Sequence, residues 1–148
     1  MSTVPTEPRY AIREVSWTQD GPRLRAVRYE VFVREQGVPE ALEWDGLDPA
    51  CRHVVAETAA GEAIGTGRLL PDGHIGRMAV AKSWRRDGVG SALLERLVAM
   101  ARERGDRFAV LHAQSYVSAF YRRAGFEAIG AEFMEAGIAH VEMRRCLC

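Results

Sequence analysis

Cysteine is scarce in this chain, which holds Cys51, Cys146 and Cys148 and no others in 148 residues. So odd and sparse a set argues against a disulfide framework and reads as reduced thiols. Cys146-Leu147-Cys148 is half a metal site, and no His/Cys pair lies at zinc spacing to complete it, so no metal is expected. Net charge is also lacking. Twenty Lys and Arg balance twenty Asp and Glu, so there is no global field to draw nucleic acid or an anionic membrane, and any anion must be held by a local cluster. No apolar run approaches the length of a membrane span. Met1–Pro8 has neither the basic start nor the apolar core of a signal peptide, and the chain reads as cytoplasmic. Internal repeats, low-complexity tracts and domain linkers are absent too. What is present, 47% apolar and 27% charged residues, is a globular composition in a chain long enough to bury a core. Residues 1–8 read as a flexible start and 9–148 as a single domain.

Arg9–Val15 alternates as a short strand. Thr18 is placed to cap a helix with Pro22 in its first turn, and Leu24, Val27, Val31 and Phe32 form its apolar stripe up to Gln36-Gly37. Residues 38–50 read as a loop in which Glu40, Glu43, Asp45 and Asp48 surround Trp44. That loop is either a solvated turn region or an acidic wall for a cationic substrate. Cys51–Thr58 and Glu62–Leu70 make a hairpin, and residues 74–80 pair back antiparallel after Pro71-Asp72-Gly73. A helix follows, with Val89, Leu93, Leu94, Leu97, Met100 and Ala101 inward and Gly105 as its stop. Next come a strand over Arg107–Ala113, a helix from a Ser115 cap to Ala124 closed by Gly125, and strands over Phe126–Ile129 and Ile138–Arg144. The order β-α-β-β-β-α-β-α-β-β predicts a mixed α/β sheet, antiparallel in its first half.

Residues 75–94 organise this pattern as a strand, a basic turn with two glycines, and a helix start. Glycines allow close backbone approach, and a helix start offers unpaired N–H groups and the positive end of the macrodipole to a phosphate. Arg85 and Arg86 add fixed charge beside it. A G-x-x-x-x-G-K-[ST] string does not occur, which excludes the Walker loop. The dinucleotide fingerprint G-x-G-x-x-G fails as well, because Leu93 stands at the third-glycine position and seven residues separate Val80 from Gly88. Two helix-entry glycines without a ligand are the remaining plain alternative.

Arg85-Arg86-Asp87-Gly88-Val89-Gly90 resembles the R/Q-x-x-G-x-G/A loop of the GCN5-related N-acetyltransferases (GNAT). In that family the loop wraps the pyrophosphate of acetyl-CoA. Met78-Ala79-Val80 sits like the family's strand that pairs with the pantetheine arm. Phe120-Tyr121-Arg122-Arg123-Ala124-Gly125-Phe126 matches F-Y-x-x-x-G-F, whose tyrosine lies near the CoA sulfur. Val31–Gln36, Glu43-x-Asp45-x-x-Asp48, His53, Ala113-Gln114 and Glu135–His140 are similar to the ElaA-like subgroup, so the resemblance spans about residues 9–145. Arg86 departs from the pattern, since many relatives carry glycine there.

The resemblance implies the GNAT acyl-CoA N-acyltransferase fold and transfer of acetyl to a primary amine of a small molecule or peptide, by direct attack through a tetrahedral intermediate. It implies acetyl-CoA as donor, held by Met78, Ala79, Val80, Arg85, Arg86, Asp87, Gly88, Val89, Gly90, Ser91, Gln114 and Tyr121. A lysine-like amine is only about one part in 2,500 neutral at pH 7, so a base helps. Tyr121 is the expected general acid, against packing beside Phe120. His74 is the candidate base, against a turn role after Asp72-Gly73, and Glu35, His53, His112 and Glu132 are its rivals. Backbone N–H groups around Met78–Val80 are the expected oxyanion donors. Gln114 reads as a bridge to substrate or as a buried capping amide. Glu35, Glu43, Asp45 and His53 are placed on the acceptor side. Homodimers are frequent in the family, although no interface is readable in the sequence. Two alternatives stay open. Arg28-x-x-x-Phe32, Glu43, Asp45-Gly46-Leu47-Asp48 and Arg68-Leu69-Leu70-Pro71 resemble acyl-homoserine-lactone synthases, and the want of an obvious base suits a non-catalytic CoA-sensing module.

Overall fold

The computed structural model describes residues 9–147, so the expectations for residues 1–8 and for Cys148 lie outside the described residues. Strand β1 (Tyr10–Val15) leads into helix α1 (Trp17–Arg28). The cap is Ser16 and not Thr18: the Ser16 Oγ accepts from the Thr18 N–H at 3.1 Å. The earlier start moves Pro22 out of the first turn. Beyond Arg28 the helix widens into π-type turns over Tyr29–Glu35, with the Gln36 N–H reaching back five residues to the Val31 carbonyl. The expected loop contains a single helical turn, α2 (Glu40–Glu43), and a 3₁₀ turn over Asp48–Ala50.

The chain continues with β2 (Arg52–Thr58), β3 (Ala63–Leu69), β4 (His74–Val80), α3 (Val89–Arg104), β5 (Phe108–Gln114), α4 (Ser118–Arg123), β6 (Glu127–Glu135) and β7 (Ile138–Cys146). Ser115 caps nothing. It opens a 3₁₀ turn, and its buried Oγ has no hydrogen-bond partner among the described residues. Strand β6 runs on past Ile129 because its irregularity at 129–133 is a bulge within the strand and not its end. Cys146 is disulfide-bonded while Cys51 is free. This corrects the expectation of a reduced thiol at Cys146. No helix among the described residues is long and apolar enough to cross a membrane.

The seven strands form one mixed sheet in the order β1-β2-β3-β4-β5-β7-β6, antiparallel everywhere except between β4 and β5. Strand alternation sorts side chains to two faces. Val54 and Ala56 join Leu93, Leu94 and Leu97 of α3, while Val55 turns to Leu24 of α1. Helix α3 lies tight on β3 because that strand is glycine where the two meet. A Cβ at Gly67 would come within 2.8 Å of Leu97 Cδ1, and one at Gly65 within 3.0 Å of Leu93 Cδ1.

The parallel pair is short. Strands β4 and β5 are in register only at His74–Val110 and Ile75–Leu111. At Arg77 the backbone of β4 turns to φ +49, and the β3–β4 register shifts between Thr66 and Arg68. Ile75, Met78 and Val80 all pack in the α3-side core although 75 and 78 differ in parity. Only an extra residue between them permits that. The strands therefore part beyond Ile75, leaving Met78–Val80, among the described residues, without a partner strand on the β5 side.

A buried ion network braces this region. Arg28 donates to Glu43 Oε2 (2.8 Å) and Asp48 Oδ1 (2.7 Å), Arg68 binds Asp48 (2.9 Å) and Asp45, and Arg77 lies 3.2 Å from Glu43 and 3.3 Å from Asp45. Arg28, Glu43, Asp48 and Arg68 are all under 5% exposed, so removing one partner strands a charge in a medium that cannot solvate it. Arg28→Met is expected to cost about 3–5 kcal/mol of unfolding free energy in urea at pH 7. Arg28→Lys, which keeps the charge and loses the two-pronged geometry, is expected to cost less.

Candidate active site

Gly88 caps α3 from the left-handed region (φ +79), with no side chain bonding the first turn. The N–H groups of Val89, Gly90 and Ser91 are thus those a helix leaves without internal acceptors, and they lie at the positive end of the macrodipole. Gly90 faces the parted end of β4: a Cβ there would meet Phe120 Cζ at 3.6 Å and Val80 Cγ2 at 3.9 Å. Arg86 also sits at positive φ (+75), which explains why glycine suits that position, and an L side chain costs on the order of 1 kcal/mol there. Asp87 anchors the turn to β1, its carbonyl accepting from the Tyr10 hydroxyl at 3.1 Å and its carboxylate lying 3.8 Å from Arg9. Arg85 is not aimed at the glycines. It forms a two-pronged pair with Glu35 (2.8 and 2.9 Å) and donates to the Val80 carbonyl at 3.1 Å.

Tyr121 packs against the same core as Met78 and Val80, edge-on to Phe120 and Phe126 with ring centroids 5.0 and 6.2 Å away. Burial, with a smaller contribution from Tyr116, pushes its hydroxyl up to about 12. It is therefore a neutral proton donor across the physiological range.

The acceptor-side expectations fare differently. Glu43 and Asp45 belong to the ion network. Burial raises the Glu43 carboxyl against the pull of Arg77 and Arg28, while the Arg68 hydrogen bond holds Asp45 far below the usual carboxylate range. Asp48 is also lowered: burial opposes its ionisation, but Arg28 and Arg68 prevail. Three arginines thus cancel the acids expected to line an acidic wall. His53 is buried, stacks on Trp17 at 4.9 Å and donates from Nε2 to the Asp48 carbonyl at 2.8 Å. Burial lowers its pKa, so it is a neutral structural group that fixes Asp48. Gln114 donates to Gln36 Oε1 at 2.8 Å, tying the end of β5 to the π-type turns. Glu132 is exposed at the β6 bulge.

His74 stands at the closed end of the β4–β5 pair, ~13 Å along the strand from Met78 at 3.3 Å per residue. It meets His112 edge-on, with ring centroids 5.6 Å apart, on the sheet face opposite α3. Glu142, directly across from His112, completes a cluster whose ligand-type atoms all lie within 4.8 Å of one another. Phe133, Glu135 and His140 continue this face across β6 and β7. Sequence spacing could not find the grouping, because its members lie on three strands.

A family model described as an acetyltransferase (GNAT) domain matches residues 15–147. The chain is 36% identical over 123 residues to the uncharacterized N-acetyltransferase YjcF of Bacillus subtilis, a match covering 80% of this chain and 87% of that protein. Among solved structures, an acyl-CoA N-acyltransferase from Pseudomonas aeruginosa superposes with a TM-score of 0.83 at 31% identity, covering 93% of this chain and 99% of that one. Escherichia coli ElaA superposes with a TM-score of 0.82 at 26% identity, covering 91% and 99% of the respective chains.

The Tyr121 environment has a measurable sign. A phenol whose pKa is raised on folding keeps its proton longer in the native state, so stability falls as pH rises from the unfolded value near 10 toward 12. In alkaline absorbance titration, the difference between wild type and Tyr121→Phe is expected to show one tyrosine with a midpoint near 12. A midpoint near 10 would contradict the desolvation of the Tyr121 hydroxyl.

Proposed function

The chain belongs to the GNAT acetyltransferase family, and on that premise we propose that it is an N-acetyltransferase carrying acetyl from acetyl-CoA to a primary amine of a small molecule or peptide. The observation that carries this reading is a convergence: the unpaired edge of β4 at Met78–Val80, the uncapped start of α3 at Gly88–Ser91, and the partly buried phenol of Tyr121 share one corner of the fold.

The residues fit such a donor. N–H groups of a helix start without a side-chain cap suit a pyrophosphate. An unpaired strand edge suits an arm that carries amides. The buried Ser115 Oγ, just past β5 and without a partner among the described residues, is a polar group still to be satisfied. Acetyl-CoA, when bound, supplies a thioester open to attack by an amine. The N–H groups of Met78–Val80 that face away from β3 are the groups available to meet negative charge developing on a carbonyl oxygen there. Tyr121 keeps its proton until about pH 12 and can deliver it to a departing thiolate.

On the acceptor side, electrostatics come from the open sheet face and not from loop 40–48. Glu135 and Glu142 stay partly exposed there among His74, His112 and His140, which supports a cationic or neutral amine over an anionic acceptor. His74 is too far toward the closed end of the strand pair to be assigned the base.

The reading is tested with acetyl-CoA and a panel of amines and N-terminal peptides, following thiol release. Tyr121→Phe is expected to lower kcat ~10-fold or more with CoA affinity kept. Unchanged turnover would remove Tyr121 as the acid. Gly90→Asp sets bulk and like charge against the phosphates and is expected to abolish CoA binding, while Gly90→Ala, whose Cβ finds ordinary contacts, keeps it. CoA binding retained by Gly90→Asp would refute the loop assignment. CoA binding without thiol release from any amine would favour a sensing module.

A further inference from the structure

We propose that His74, His112 and Glu142 form a binding site for a divalent transition-metal ion of the zinc class, on the sheet face opposite α3. The three residues lie on the sheet face that the acetyl-transfer reading gives to the acceptor, but the inference rests on their donor geometry alone. Two imidazoles and a carboxylate are the donor set that such ions take when coordination positions are left open to solvent or a further ligand. One ligand-type atom from each of the three side chains lies within 4.8 Å of the others, and His74 Nε2 is already 4.0 Å from Glu142 Oε1. A tetrahedral ion with ligands at about 2.0–2.1 Å needs separations of about 3.3 Å, so modest side-chain rotations close the set.

The backbone beneath is paired sheet. His112 and Glu142 are direct cross-strand partners on β5 and β7, and His74 enters from β4 at one of the two registered β4–β5 positions. A second layer of carboxylates surrounds the three. Asp72 Oδ1 lies 3.0 Å from His74 Nδ1 and also accepts the His74 backbone N–H at 3.0 Å. Glu135 Oε1 lies 3.3 Å from His112 Nδ1. In each imidazole, then, Nδ1 faces a carboxylate while Nε2 is left for the centre, which is how metal-bound histidines are oriented and made more basic. His74 Nδ1 is buried and, for all its closeness to Asp72, makes no hydrogen bond among the described residues. Rotating the ring to aim Nε2 at a shared ion offers a way to correct it. His140 belongs to the outer layer: its Nδ1 donates to the Ile138 carbonyl at 2.7 Å, and its Nε2 is 3.6 Å from Glu135 Oε2. All three ligand side chains are partly exposed, so an ion enters directly from solvent.

The test uses the full chain and zinc alone. Competition against a chromogenic chelator is expected to give one equivalent of bound Zn²⁺, with a rise in thermal midpoint on zinc addition. His74→Ala and His112→Ala should each weaken binding by more than the 10–100-fold typical of outer-layer changes, and Asp72→Asn by about 10-fold. Thermal midpoints of the metal-free variants, unchanged from wild type, establish that they fold. Co²⁺ is expected to give visible d–d bands without a thiolate charge-transfer band, which separates this site from the cysteines. No zinc uptake in molar excess, uptake that survives both histidine replacements, or a thiolate band in the cobalt spectrum would each overturn the proposal.

Discussion

The opening in this fold depends on one backbone irregularity. Strand β4 pairs with β5 through His74 and Ile75 and then turns aside at Arg77. A non-glycine residue at φ +49 is strained, and the strain is held by the side chain of the same residue. Its guanidinium lies against the carboxylates of Glu43 and Asp45 and the carbonyls of Leu42 and Glu43. The bulge that parts the strands and the ion network behind it are one device. Helix α3, seated on β3 through Gly65 and Gly67, then presents its uncapped N-terminus to the gap.

That network changes how the charges of the chain are read. Glu43, Asp45 and Asp48 look, in one dimension, like a wall for a cation. In three dimensions they are the counter-charges of Arg28, Arg68 and Arg77, which arrive from α1, β3 and β4. Arg28, Glu43, Asp45, Asp48 and Arg68 are also among the residues that resemble acyl-homoserine-lactone synthases, so here that pattern marks a buried ion-pair lattice. Arg85 is similarly diverted, tying Glu35 at the end of the π-type turns to the last carbonyl of β4. What remains near the glycines for an anion is backbone N–H, with Arg86 in the same turn. Those N–H groups bind phosphate through fixed dipoles and need no mobile charge.

The histidines of the chain are gathered by the sheet instead of the loops. Because His112 pairs with Glu142 and Gln114 with His140, three of the four histidines of the chain gather on one face with Glu135 and Phe133. Gln114 closes the end of that face by bonding to Gln36.

Periodicity and punctuation determined much of this protein by themselves. The seven strands, the α3 stripe from Val89 to Ala101, and the glycine stops at 105 and 125 follow from local rules, because side-chain alternation and left-handed φ are properties of a few consecutive residues. The glycine turn before α3 and the F-Y-x-x-x-G-F segment were legible for the same reason. Local rules misplaced the helix cap by two residues, since Ser16 and Thr18 are both competent and only the path of the chain from β1 chooses between them. They also missed the bulge at Arg77, which exists only relative to β3 and β5. The fate of each charge lay beyond them altogether. Whether a carboxylate attracts a ligand or answers an arginine depends on which strands become neighbours, and the grouping of His74, His112 and Glu142 was decided by the same pairing.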